Sequence, residues 1–171
     1  QNPNNAPKLD SISDQVVGAG VVLRVTNFVS DADLPWQTLT FSLQNAPEGA
    51  AIDSGTGIFS WRPAIGQAGT TNFVSVKVSD NGTPSLSATQ GFSVIVNPLN
   101  LPELKSISAT DGRIQLKIGG DSGPDYSIQT STNLTDWTTI FTTNSPALPF
   151  DWEDPEPAQL ESRFYRVLLG P

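Results

Sequence analysis

Aspartate is the residue type through which this sequence could do chemistry, because histidine and cysteine are both absent. The commonest general base, the commonest transition-metal ligand and every thiolate are thereby excluded, and disulfides with them. Asp31 and Asp33 stand two apart. On an extended segment that spacing puts both carboxylates on one face, where they could converge on a single cation, and Asp is equally suited to making turns. A second acidic run, Asp151-Trp152-Glu153-Asp154-Pro155-Glu156, contains the paired carboxylates that a glycosidase needs. Its proline content and shortness predict a solvated loop instead. No glycine-rich phosphate cradle is present either, so no catalytic residues are assigned and no enzymatic activity is expected.

Four tryptophans offer flat apolar faces. Trp61 and Trp137 fall in strand patterns and are expected in cores. Trp36, in an irregular stretch after the acidic pair, and Trp152, inside the acidic run, are expected to be exposed, where they could stack on sugar rings as ligand-binding residues. Asn81-Gly82-Thr83 and Asn133-Leu134-Thr135 match glycosylation acceptors, a short pattern that a bacterial context would void.

The elements that must position these residues are strands. Of 171 residues, 37% are hydrophobic and only 15% charged, with 14 glycines and 14 prolines. That balance fits an all-β protein with many turns, and the length fits two small domains, since one sandwich takes about 100 residues. The net charge of −8 lacks the basic face of a nucleic-acid binder. No stretch approaches the roughly 20 apolar residues that span a bilayer, so membrane insertion is not expected. No signal peptide is recognised, and the absence of methionine even at position 1 suggests a chain processed or cut from something larger.

Two proline-spaced segments divide the sequence. Asn2-Pro3-Asn4-Asn5-Ala6-Pro7-Lys8-Leu9-Asp10-Ser11-Ile12 is echoed by Asn97-Pro98-Leu99-Asn100-Leu101-Pro102-Glu103-Leu104-Lys105-Ser106-Ile107, at an offset of 97 − 2 = 95. Alternate prolines remove amide donors and favour extended backbone, so each run is expected to be a stiff connector into a first strand. Residues 1–7 are then the linker from a preceding domain, 8–97 a first sandwich, 98–103 a second linker and 104–171 a smaller sandwich.

Within 8–97 the alternating segments are Val21-Leu23-Val25, Leu39-Phe41-Leu43, Ile58 to Trp61, Val74-Val76-Val78 and Phe92-Val94-Val96. With a first strand near Leu9 to Ile12 they make about seven short strands, separated by Gly- and Asp-rich turns. In the second block the segments are Ile114-Leu116-Ile118, Tyr126-Ile128, Trp137 to Phe141 and Tyr165-Val167-Leu169. Asp111-Gly112 reads as a tight turn between its first two strands, and Gly119 to Asp125 as a longer loop.

The first block resembles the cadherin-like repeats of bacterial surface proteins, including their dystroglycan-type and immunoglobulin-like variants. Asp31-Ala32-Asp33, Leu39-Thr40-Phe41-Ser42-Leu43, Ala46-Pro47-Glu48-Gly49, the run from Ile52 to Trp61, and Val76-Lys77-Val78-Ser79-Asp80-Asn81-Gly82 carry the resemblance. It implies one calcium ion at the upper pole, held by Asp31, Asp33 and Asp80 with Asn4 and the carbonyl of Ala6. Calcium takes six to eight hard oxygen ligands, which such residues supply. The family's other acidic positions fall on Gln15 and a lone Asp53, and the second linker lacks Asp, so no ion is expected at the lower junction.

The second block is similar to fibronectin type III-like modules that close large secreted proteins of Verrucomicrobia and their relatives. The run Tyr126 to Trp137, Phe150 to Asp154 and the ending Arg163-Phe164-Tyr165-Arg166-Val167 carry that likeness. Together the resemblances imply an extracellular or cell-surface location and a spacer or adhesion module, with neighbouring domains of the same protein as partners. Two other roles stay open: a carbohydrate-binding accessory region of a secreted polysaccharide-degrading enzyme, and an architectural subunit of a surface filament or layer. In the second case a glycan, and in the third another surface protein, would be the partner.

Overall fold

The structure, a computed structural model, describes residues 3–156 and 162–170; the first two residues of the expected lead-in, residues 157–161 and Pro171 lie outside the described residues. The fold is all-β. Helix among the described residues is confined to a three-residue 3-10 turn, Ile65–Gln67, and no helix is long and apolar enough to cross a membrane. The chain divides into two compact units. One comprises Gln1–Val17, Val22–Pro63 and Gly69–Asn97; the other comprises Gly18–Val21, Ala64–Ala68 and Pro98–Pro171.

Nine strands build the first sandwich: β1 (Lys8–Leu9), β2 (Gln15–Val17), β3 (Leu23–Thr26), β4 (Val29–Ser30), β5 (Thr40–Asn45), β6 (Ala51–Ile52), β7 (Ile58–Trp61), β8 (Thr71–Ser79) and β9 (Ser87–Val96). They form a four-stranded sheet in the order β2-β9-β8-β5, a three-stranded sheet β3-β7-β6 and a short β1-β4 pair. Neighbours are antiparallel except β2, which runs parallel to β9. Alternation decides which face is inside. Val74, Val76 and Val78 on β8 and Phe92, Val94 and Val96 on β9 are all buried, and the residues between them, Ser75, Lys77, Ser93 and Ile95, face outward. Phe59 of β7 meets Phe92 edge-on at 5.5 Å, joining the two sheets. Burying such a side chain is worth roughly 1.5–3 kcal/mol, more than a typical net hydrogen bond, so the apolar faces and not the polar loops hold the sandwich together.

Six strands build the second: β10 (Glu103–Thr110), β11 (Arg113–Gly119), β12 (Asp125–Ser131), β13 (Thr138–Thr143), β14 (Phe150–Glu153) and β15 (Phe164–Gly170). Two three-stranded sheets, β10-β11-β14 and β13-β12-β15, enclose Leu116, Ile118, Tyr126 and Ile128. Asp111 and Gly112 both adopt positive φ, 52° and 74°, the backbone that a two-residue hairpin turn demands.

The acidic run departs from the expected solvated loop. Phe150 to Glu153 is β14, antiparallel to β11, and its alternation sends Phe150 and Trp152 to the core while Asp151 and Glu153 pair outside with Lys117 and Arg113, each at 3.2 Å. Asp154 is buried, held by Arg163 at 2.8 Å and by the Tyr165 hydroxyl at 2.7 Å. Enclosure, then the Asp154 carboxylate, push the Tyr165 phenol far above its ordinary range. The two tryptophans of this unit are both half-buried, so Trp152 departs from its expected exposure. Trp152 packs against the core with its ring 5.9 Å from Phe141, whereas Trp137 is half-buried under the Arg166 guanidinium, 4.3 Å over its ring.

One turn of the first sandwich depends on a missing side chain. Gly57 has φ 68°, and a Cβ there would stand 2.7 Å from the Phe41 ring. Gly57→Ala is expected to cost about 1–3 kcal/mol in denaturant unfolding. Gly55→Ala, in the same turn, where a Cβ would make only an ordinary 3.7 Å contact with Asp53 Oδ1, is expected to stay within about 0.5 kcal/mol.

Candidate functional site

Strand register brings three separated segments to one pole of the first sandwich. Lys8 pairs with Ser30, so the chain before β1 runs beside the chain after β4. Thr40 pairs with Ser79, so the chain before β5 runs beside the chain after β8. Residues 3–7, 31–39 and 80–86 therefore meet. Asp31, Asp33, Asp80 and Asn4 all sit in these segments, as does Ala6, which is exposed beside a buried Pro7.

Each carboxylate there is met by N–H donors. Asp80, 5% exposed, accepts the backbone N–H groups of Gly82 and Leu86 on Oδ1, both at 2.9 Å, and the Asn4 amide on Oδ2 at 3.1 Å. Enclosure alone would raise its pKa; the Leu86, Gly82 and Asn4 donors outweigh that and hold the carboxyl below the usual aspartate value. Asp33 receives Asn5 twice, the side-chain amide on Oδ1 at 2.6 Å and the backbone N–H on Oδ2 at 2.8 Å. Gln37 then links the two centres, its Nε2 donating to Asp33 Oδ2 at 3.0 Å and to Asn4 Oδ1 at 2.6 Å. Asp31 serves the turn, accepting the Asp33 N–H at 3.0 Å. Thr38 N–H closes the loop onto Asn81 Oδ1 at 2.8 Å.

Sequence reasoning named Asp31, Asp33, Asp80 and Asn4 and passed over Asn5, Gln37 and Asn81. The donors Asn5 and Gln37 are 28 and 4 residues from Asp33, separations fixed by the loop path and not by any strand period. Gly82 was legible only as a turn residue. A Cβ on it would run into the Asn4 amide, so the glycine is the floor on which Asn4 rests.

The calcium expectation can be tested against this chemistry. A calcium shell needs oxygens free to face the ion. Both oxygens of Asp33 and of Asp80 already accept N–H groups, and Asn4 Oδ1 accepts Gln37. Among the described residues no three His, Cys, Asp or Glu side chains are grouped to hold a metal. As arranged, then, Asp31, Asp33, Asp80, Asn4 and Ala6 do not fit a resident ion. Two enclosed acceptors, Asp31 Oδ2 and Gln37 Oε1, meet no donor among the described residues.

Trp36 stands at the same pole, 83% exposed, on the loop that carries the aspartates, beside an equally prominent Leu34.

Residues 6–97 match the family model described as Putative Ig domain, more than half of the chain. The chain belongs to that family. Among solved structures this Ig-like chain is similar to a glycoside hydrolase family 107 endo-fucoidan hydrolase (17% identity, TM-score 0.49), covering 86% of this chain and 24% of that one. It is also similar to the human CDH23 fragment EC21-23 (17%, TM-score 0.47, 70% and 47% covered) and to protocadherin gamma B2 extracellular cadherin domains 3-6 (17%, TM-score 0.45, 75% and 40% covered). It thus spans less than half the length of each of these three. Comparison with curated proteins finds no match.

Two outcomes follow for the pole of the Ig-like domain. Gly82→Ala is expected to lose about 1–3 kcal/mol by displacing Asn4, and the loss should shrink when Asn4→Ala is combined with it, read as non-additivity in unfolding. Because folding lowers the Asp80 pKa, its contribution is present above the unfolded value near 3.8 and is lost as pH falls through the lower folded value. Thermal melts from pH 6 downward should show the first sandwich weakening below about pH 4, with a flatter profile for Asp80→Asn.

Proposed function

We propose that the chain is a non-catalytic module of a secreted or cell-surface protein, in which two sandwiches in tandem space the neighbouring domains of the same polypeptide. Membership of an Ig-like family supports it, as does a sequence with neither histidine nor cysteine. The observation that carries the reading is the lead-in. Asn4 and Asn5 belong to no strand, yet they grip Asp80 and Asp33, so the polypeptide entering the sandwich is seated on it. A module whose task is to hold its neighbours needs that junction more than it needs a cleft.

A second reading, glycan binding by an accessory region, rests on Trp36. A ring 83% exposed on a loop tip can stack on a sugar. Trp152 contributes less to it, since its ring packs against the core. The calcium inferred from the resemblance would stiffen the same pole; Asp31 Oδ2 and Gln37 Oε1, which meet no donor among the described residues, favour it, and the N–H groups already on Asp33 and Asp80 oppose it.

Retention on insoluble polysaccharides and calcium-dependent melting separate these. The spacer reading expects the chain to pass unretained, and retention abolished by Trp36→Ala would replace it with the glycan reading. A site filled at a hundred times its Kd would add about 2.7 kcal/mol, several degrees in Tm. No shift is expected between millimolar calcium and EGTA.

A further inference from the structure

The second lead-in makes the same contact as the first. Asn100 follows Asn5 at the linker offset of 95. Its backbone N–H donates to Asp121 Oδ2 at 2.7 Å and its side-chain amide to Asp121 Oδ1 at 3.0 Å. Asn5 treats Asp33 alike, backbone N–H to Oδ2 and side-chain amide to Oδ1. Each asparagine stands two residues before a proline, Pro7 or Pro102, and the first strand begins on the next residue, Lys8 or Glu103. Each aspartate lies in an interstrand loop of the sandwich being entered: Asp33 between β4 and β5, Asp121 between β11 and β12. The acceptors are 28 and 21 residues downstream, so the recurrence comes from geometry and not from copied sequence.

Two parallel N–H bonds onto one carboxylate are charge-assisted and directional. They fix both the backbone and the side chain of one residue, and the following proline has no amide to satisfy and a fixed φ. Few soft dihedrals remain between clamp and strand. The Asn100 side chain, then its backbone N–H, hold the Asp121 carboxyl below its usual range, as expected when donors favour the charged form.

We propose that Asn5–Asp33 and Asn100–Asp121 are two copies of one metal-free clamp, in which a linker asparagine grips both oxygens of a loop aspartate and so seats an Asn-x-Pro lead-in on the sandwich it enters. The clamp deepens the spacer reading and rests on it for its purpose, but its existence is tested separately. It makes the approach to each domain stiff whatever the cation concentration.

Amide hydrogen exchange on the intact chain, followed by NMR in EGTA and in millimolar calcium, reads both clamps at once. Asp33→Ala is expected to speed exchange at the Asn5 amide by at least about tenfold, the loss of one hydrogen bond to a charged group, and to leave Asn100 unchanged. Asp121→Ala should do the reverse. Core amides of Val76 and Ile118 should keep their protection in both, which separates clamp loss from unfolding; should either alanine variant unfold, Asp33→Asn and Asp121→Asn replace them with the same expected pattern. Calcium is expected to alter nothing. Unchanged exchange at Asn5 and Asn100 in the variants, or protection that appears only with calcium, overturns the clamp. Loss of the clamp would leave the spacer reading only the Asn4 grip on Asp80, and polysaccharide retention, on which neither result bears, tests that reading separately.

Discussion

A carboxylate that leaves water must be met by donors, and at the pole of the first sandwich the donors are amides. Asp80 is almost fully enclosed, which penalises an unpaired ion. Two backbone N–H groups from its own turn and one asparagine from the lead-in repay that cost. The arrangement of the lead-in, of Gly82 beneath Asn4 and of the Asp31 turn follows from this requirement. A cation could satisfy the same carboxylates, but it would have to displace N–H groups that already occupy them.

The strand registers make that chemistry reachable. Two pairings, Lys8 with Ser30 and Thr40 with Ser79, set side by side three segments that are far apart in sequence. The registers are in turn fixed by alternate apolar residues, because a slip of one residue would turn Val74, Val76 and Val78 out to solvent. Core packing thus decides where the polar pole forms, and the polar pole decides how the linker enters.

Much of the fold was legible because period-2 alternation is a local signal. The valines of β8, the Phe92-Val94-Val96 face of β9 and the Asp111-Gly112 turn all read directly from the sequence. β14 did not, because Asp151, Glu153 and Pro155 hid the alternation of Phe150 and Trp152. The expectation for Trp152 failed for a related reason: local charge was read, whereas register with β11 puts Trp152 opposite Leu116. At the pole, the aspartates could be named from a resemblance, but Asn5 and Gln37 could not, since which amide reaches which carboxylate depends on loop paths. The linker echo did contain Asn5 and Asn100 in register. It marked them as equivalent without saying what they do.

A crystal structure grown in millimolar calcium tests the central claim most directly. Amide donors, not a cation, should still occupy Asp33 and Asp80, with the Asn5 amide on Asp33 Oδ1 near 2.6 Å. An ion bound by these aspartates at about 2.3–2.6 Å, with Asn5 and Gln37 swung away, would contradict the account.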